Sequence, residues 1–137
     1  MLQGLVTAWG AMAEQQRSLT AELHELFLVA LGAVPGALLR WQVAPHGSDR
    51  HLLVNVLGAA LLGLLAGLPA APRRQLLIGI GFCGSLTTFS SWMVEAMQLI
   101  SAGKIVEASG LIGLTLGLGL GAAALGFLGG RYLVRHE

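Results

Sequence analysis

Four long stretches of this chain carry almost no charge, and that limits its fold more than any other feature. They cover residues 26–44, 52–71, 76–94 and 108–130, each close to the ~20 residues that span the hydrocarbon of a bilayer. The whole chain of 137 residues is 55% apolar and only 11% charged, with a mean hydropathy of +0.74. A soluble domain must cover its surface with charge, whereas lipid accepts apolar side chains outside and requires each segment to satisfy its own backbone. The expected class is therefore an all-α membrane protein with four transmembrane helices, at about 26–44, 52–71, 76–100 and 106–133, forming one domain over 26–133. Short connections, 45–50, 72–74 and 101–104, leave no room for a soluble domain between them.

Residues 1–25 form a separate extension. They hold Glu14, Arg17, Glu22 and Glu25 and lack the basic start and long apolar core of a secretory signal peptide. Leu5, Trp9, Met12, Gln16, Leu19 and Leu23 recur at helical spacing, so an amphipathic helix lying on the surface is one reading. With four spans, both termini share one side of the membrane. Five basic residues fall there (Arg17, Arg73, Arg74, Arg131, Arg135) against Arg40, Arg50 and Lys104 on the other, a weak orientation bias open to both topologies. The net charge of +1, scattered along the chain, excludes nucleic acid as a natural partner. A single cysteine, Cys83, excludes an intrachain disulfide and a thiolate metal cage.

Glycines recur every four residues: Gly32 and Gly36, Gly63 and Gly67, Gly113 with Gly117 and Gly121, Gly126 and Gly130. That spacing lets helix backbones approach closely in lipid, and packing is the reading given to all of them.

Polar groups within apolar spans are costly, which makes them candidates for function. Arg40, beside Trp41 near the end of the first span, reads as an interfacial anchor whose head reaches water. Asn55 has two readings: an uncharged donor to an anion through its amide NH2, or an interhelical hydrogen bond. The densest signal is the run from Gly79 to Trp92, GIGFCGSLTTFSSW. Three glycines followed by five hydroxyl residues are poor helix material. A break here frees carbonyls able to hold a cation and N–H groups able to face an anion; a Gly/Ser kink satisfied by neighbouring helices is the alternative. Thr115 is the only hydroxyl in the middle of the fourth span, and Glu95 marks a water boundary.

At these residues the chain resembles the CrcB/Fluc fluoride channel family, over about 26 to 133. The resemblance rests on GALLRW at 36–41, NVLGAALLG at 55–63 and GFCGSLTTFSSW at 81–92. It implies an antiparallel, dual-topology homodimer in the bacterial inner membrane, exporting fluoride passively and protecting the cell from its toxicity. It further implies a structural sodium ion at the dimer centre, bound by the carbonyls of Gly84 and Thr87. The fluoride pathway would run past Asn55 and Phe89, with the hydroxyls of Thr88, Ser91 and Thr115 beside it and Arg40 at a vestibule. An aromatic edge presents its positive rim to an anion. Trp92 stands where the family has a second phenylalanine, Leu111 where it has a tyrosine and Gly119 where it has a serine.

Two other function classes compete. A small proton-coupled multidrug exporter needs a carboxylate deep in a span, and this chain has only Glu95 near an end. A non-transporting membrane assembly subunit predicts no ion flux from the purified protein. An enzyme is the least supported, since no nucleophile and base pair stands out.

Overall fold

In the computed structural model, residues 2–43 and 48–135 are described, with side chains over 18–43 and 50–135. All regular structure among them is helical. Helix α1 is Leu2–Val43 and α2 is Ser48–Gly67. Helix α3 covers 72–86: an α turn at Pro72–Arg74, a π-helical stretch Gln75–Cys83 and a last α turn Gly84–Leu86. Helix α4 is Ser90–Ser101, and α5 is Ile105–Arg135. Four segments are long and apolar enough to cross a membrane: Ser18–Val43, Arg50–Gly67, Pro72–Ser101 and Ile105–Arg135.

The boundaries follow from the punctuation of the sequence. Helix α1 ends at Val43, two residues before Pro45, which cannot continue it; the connection 44–47 lies outside the described residues. Pro35 lies inside α1, as membrane helices tolerate when neighbours satisfy the freed carbonyl. The helix begins at Leu2, well before the span start expected near residue 26. The amphipathic reading of 1–25 rests largely on side chains outside the described set. Helix α2 starts at Ser48 and stops at Gly67, earlier at both ends than the 52–71 expected, because Pro69 and Pro72 close off that end. Pro72 then sits in the first turn of α3, where its missing N–H costs nothing. Between α4 and α5, Gly103 takes a left-handed φ of +75°, and the tight reversal is closed by Lys104 N–H on the Leu99 carbonyl at 2.9 Å. Any residue with a Cβ is strained in that conformation.

Helix α3 packs between α1 and α2; α2 packs chiefly on α5, and α4 lies mainly against α5. Glycine makes these crossings possible. A Cβ on Gly126 would collide with the Ala60 carbonyl, and one on Gly63 with the Ala123 carbonyl. On the other side of the bundle, a Cβ on Gly81 would meet the Val29 carbonyl at 2.5 Å and the Gly32 Cα at 3.0 Å. Six of the spaced glycines, Gly32, Gly36, Gly63, Gly67, Gly126 and Gly130, therefore serve close packing. Gly113, Gly117 and Gly121 meet nothing within 4 Å, so in the single chain their side of α5 is open. Large apolar side chains project outward throughout: Val106 is 86% exposed and Leu125 is 73% exposed. Water would penalise such a surface and lipid does not.

Candidate ion pathway

The segment from Cys83 to Trp92 is held by polar substitutes for the ordinary helix ladder. In an α-helix each N–H binds the carbonyl four residues back. Thr87 N–H still does so, on the Cys83 carbonyl at 3.0 Å, and its hydroxyl donates to the same carbonyl at 2.8 Å. Thr87 itself is extended, with φ −74° and ψ 153°, and helical structure resumes at Ser90. Two of the four ladder bonds that follow are diverted. Thr88 N–H donates to Asn55 Oδ1 at 2.8 Å instead of the Gly84 carbonyl. Ser91 N–H donates to Thr88 Oγ1 at 3.4 Å instead of the Thr87 carbonyl. Gly84 and Thr87 are thus two of the carbonyls that lose a ladder partner at the break, beside those of Ser85 and Leu86.

Asn55 completes the arrangement from α2. Its Nδ2 donates to the Thr88 carbonyl at 2.8 Å, so a single side-chain amide pairs with both the N–H and the C=O of one residue across 33 positions of sequence. Of the two readings of Asn55, the interhelical hydrogen bond is the one present in the structure. One amide proton and one carbonyl lone pair are left over. Burial is consistent with the role: Thr88 is only 7% exposed, a depth at which an unpaired peptide would cost about 1–3 kcal/mol.

Hydroxyls and aromatic rings lie beside this pairing. Thr88 Oγ1 is 3.1 Å from Ser91 Oγ and 3.4 Å from Ser90 Oγ. Phe89 and Trp92, one turn apart at the start of α4, meet edge to face, with centroids 4.9 Å apart and planes at 78°. Phe89 is 66% exposed in the single chain, so one side of its ring faces away from the protein. Arg40 reaches the same place from α1, its Nη1 3.5 Å from the Thr87 carbonyl, and so does more than anchor at the interface. Thr115 is buried in α5, 8% exposed; among the described residues no hydrogen bond joins it to the Asn55–Thr88 pair.

The structure therefore gathers Arg40, Asn55, Thr87, Thr88 and Ser91 around one stretch of backbone, flanked by Phe89 and Trp92, and leaves Thr115 apart. Ser85 was missed by sequence reasoning. Its hydroxyl donates to the Gly81 carbonyl at 2.7 Å, and a Cβ on Gly36 would run into it, so the α1–α3 crossing continues up to the edge of the site. The signal was present as a small residue opposite a glycine. Among the described residues no cluster of His, Cys, Asp or Glu is able to hold a metal ion.

Comparison with known proteins agrees with this architecture. The family profile described as CrcB-like protein, Camphor Resistance (CrcB), matches residues 27–127. A protein of Synechococcus sp. (strain CC9902) named fluoride-specific ion channel FluC 2 is 85% identical over 123 residues, covering 90% of this chain and 92% of the relative. A protein of the same name from Prochlorococcus marinus (strain MIT 9313) is 64% identical over 117 residues, 85% and 90% of the two chains. More distantly, fluoride-specific ion channel FluC of Psychrobacter cryohalolentis is 40% identical over 111 residues, 72% and 90% of the two chains. The profile spans the region from α1 into α5 and takes in every residue of the site. On the profile match and these identities, this multi-pass membrane protein belongs to the CrcB-like family.

Proposed function

We propose that this chain forms a fluoride-selective channel, and that the interval between Leu86 and Ser90 is a working break in a single membrane span. The observation that carries the reading is the Asn55–Thr88 pairing, which lets the backbone leave the helix inside an apolar span with the N–H and C=O of Thr88 satisfied. Irregular backbone at that depth is tolerated only where protein or a water-filled path surrounds it.

Fluoride is small and strongly hydrated, so a pore must replace its water with several donors and reject chloride by narrowness. The second amide proton of Asn55, the hydroxyls of Thr88 and Ser91, the exposed edge of Phe89 and the indole of Trp92 are donors of that kind. Thr115 lines a more distant part of the same path. All are neutral, and a full positive charge inside the pore would hold the ion too long. Arg40, near the end of its span, gathers anions at a vestibule. Conduction is passive: a negative interior drives the anion out with ~2.3 kcal/mol per 100 mV, and hydrogen fluoride entering from acid surroundings dissociates inside. The chain acts as a channel in the cell inner membrane, not as an enzyme.

Sodium fits the released carbonyls. Neutral oxygens suit a hard cation of low charge, and Gly84 and Thr87 supply two from each chain. Two oxygens do not fill the shell of an alkali ion, so a second, antiparallel copy bringing the same pair is part of the proposal. The open side of Phe89 then faces the partner subunit or the path between the two. Arg40 would move off the Thr87 carbonyl once a cation sits there, and the long 3.5 Å contact makes that an easy displacement.

The test is flux. Purified protein in liposomes should dissipate a fluoride gradient, followed with a fluoride electrode, and leave a chloride gradient in place. Release no faster than from empty liposomes would sink the reading and favour the assembly subunit. Replacing sodium by a large organic cation throughout purification should lower both flux and dimer recovery; unchanged flux would remove sodium from the proposal.

A further inference from the structure

The end of the bundle where α2 stops and α5 finishes carries a basic groove that the ion pathway does not use. The four spans alternate in direction, so residues 67–74 and 131–135 come to the same membrane face. A groove of about 500 Å³ opens there along the face of α5, lined by Phe127, Leu128, Arg131, Tyr132 and Arg135. It has apolar walls on the side towards the hydrocarbon and two guanidiniums on the side towards water. Arg131 lies over the Phe127 ring, 5.8 Å from its centroid, which holds the cation at the boundary between the two environments.

Among the described residues no carboxylate pairs with the charge at this corner. Among the described residues the one ion pair is Lys104 with Glu107 at 3.1 Å, at the opposite end of the bundle. Glu22 and Glu25 share the membrane face of the groove but line a separate hollow with Leu26, Val29 and Leu76, on the α1–α3 side away from the α2–α5 pair. Arg74 adds to the deficit next to α2. Its Nη2 is occupied by the Pro69 carbonyl at 2.6 Å, while its Nε is buried without a partner. Pro69 follows Gly67 closely, and a Cβ on Gly67 would meet the Arg131 backbone nitrogen at 3.0 Å, so Arg74 and Arg131 flank the same end of α2.

We propose that this groove binds the headgroup of an anionic phospholipid, its phosphodiester held by Arg131 and Arg135 and its first acyl carbons lying on Phe127 and Leu128. Guanidinium matches phosphate oxygens in a two-pronged geometry, and each basic residue near the membrane surface attracts anionic headgroups by about 1 kcal/mol. A free phosphate would use the guanidiniums and leave the apolar wall in water, which is why the lipid is the assigned occupant.

The test uses the full chain in detergent, titrated with phosphatidylglycerol or phosphatidylcholine, with bound lipid counted by native mass spectrometry. The wild type should retain phosphatidylglycerol at clearly lower lipid concentration. Retention should weaken roughly fivefold for each of Arg131→Gln and Arg135→Gln, with Arg131→Lys keeping most of it. Equal retention of both lipids by the wild type, or an unchanged preference in the double variant, would overturn the proposal. Displacement of the lipid by an equal concentration of inorganic phosphate would assign the site to the free ion. A covalent dimer on oxidation of Leu128→Cys would place a second copy in the groove; either result ends the lipid assignment. Fluoride flux of the double variant in pure phosphatidylcholine vesicles should equal the wild type, so failure here and failure of the channel reading are separable.

Discussion

Two regions bring backbone segments together without apolar side chains between them, and they do it by opposite means. At the α2–α5 crossing, Gly63 and Gly126 let carbonyls touch the facing helix by offering no side chain at all. Around Thr88, the backbone leaves its helix and Asn55 supplies a side chain shaped like a peptide to meet it. The first region contains only satisfied ladders, and its strength is close dispersion contact. The second holds groups taken from the ladder, and its strength is two directed hydrogen bonds. One is broken by adding carbon, the other by removing an amide.

The largest effect should come from Gly126→Leu. A side chain of that size has no space where a single Cβ already collides with the Ala60 carbonyl, and overpacking of this kind costs about 3 kcal/mol or more. Little or no monodisperse protein should be recovered after extraction; normal recovery would show that the crossing is loose and end the contrast.

Next comes Asn55→Ala, which leaves Thr88 N–H and C=O unpaired. Interhelical hydrogen bonds in membranes are worth about 0.6–2 kcal/mol each, so the chain should still fold, with a lowered thermal midpoint, while fluoride efflux from liposomes disappears. Full efflux would detach the pairing from conduction.

Trp92→Phe probes the same region more gently. It keeps a ring edge against Phe89 and removes one N–H, so stability should change by less than about 1.5 kcal/mol while the flux rate changes. An unaltered rate would take the indole N–H out of the path.

The smallest effect belongs to Gly117→Ala on the open part of α5. Nothing lies within 4 Å of its would-be Cβ, and alanine is favoured over glycine in a helix by about 1 kcal/mol. A slight rise or no change in the thermal midpoint is expected for the isolated chain. A clear fall would mean that another chain closes on that glycine as tightly as α2 closes on Gly126.

That last pair shows how far the sequence could be read. The spacing of Gly113, Gly117 and Gly121 is indistinguishable from that of Gly126 and Gly130, yet only the latter pair meets a neighbour within the chain. Spacing says that a backbone can approach, not which one does. The four spans were legible because charge is absent over lengths that fit a bilayer, and their ends were legible to within a few residues wherever proline or Gly103 fixes them. Asn55 was identifiable as a polar group with two possible uses. Its partner was not, because that depends on the rotation of α2 against α3, which no local pattern encodes. The π-helical form of Gln75–Cys83 was equally hidden. Gly79 and Gly81 read as part of a break, with a kink as the alternative, and a shift of one residue in the hydrogen-bond register leaves no mark in composition.

That wide stretch gives the third span a property unlike those of its neighbours. A π turn holds one residue more than the α turn it replaces, so residues 75–83 act as a spacer whose length sets the phase of the helix beyond Cys83. Were the same nine residues to wind as α-helix, each would advance by about 100° in place of the smaller step of the wider turn, and Ser85, Leu86 and Thr87 would swing around the axis. Ser85 would leave Gly36, and Thr88 would lose its alignment with Asn55. For this stretch the hydrogen-bond register is a stricter constraint than the identity of its residues.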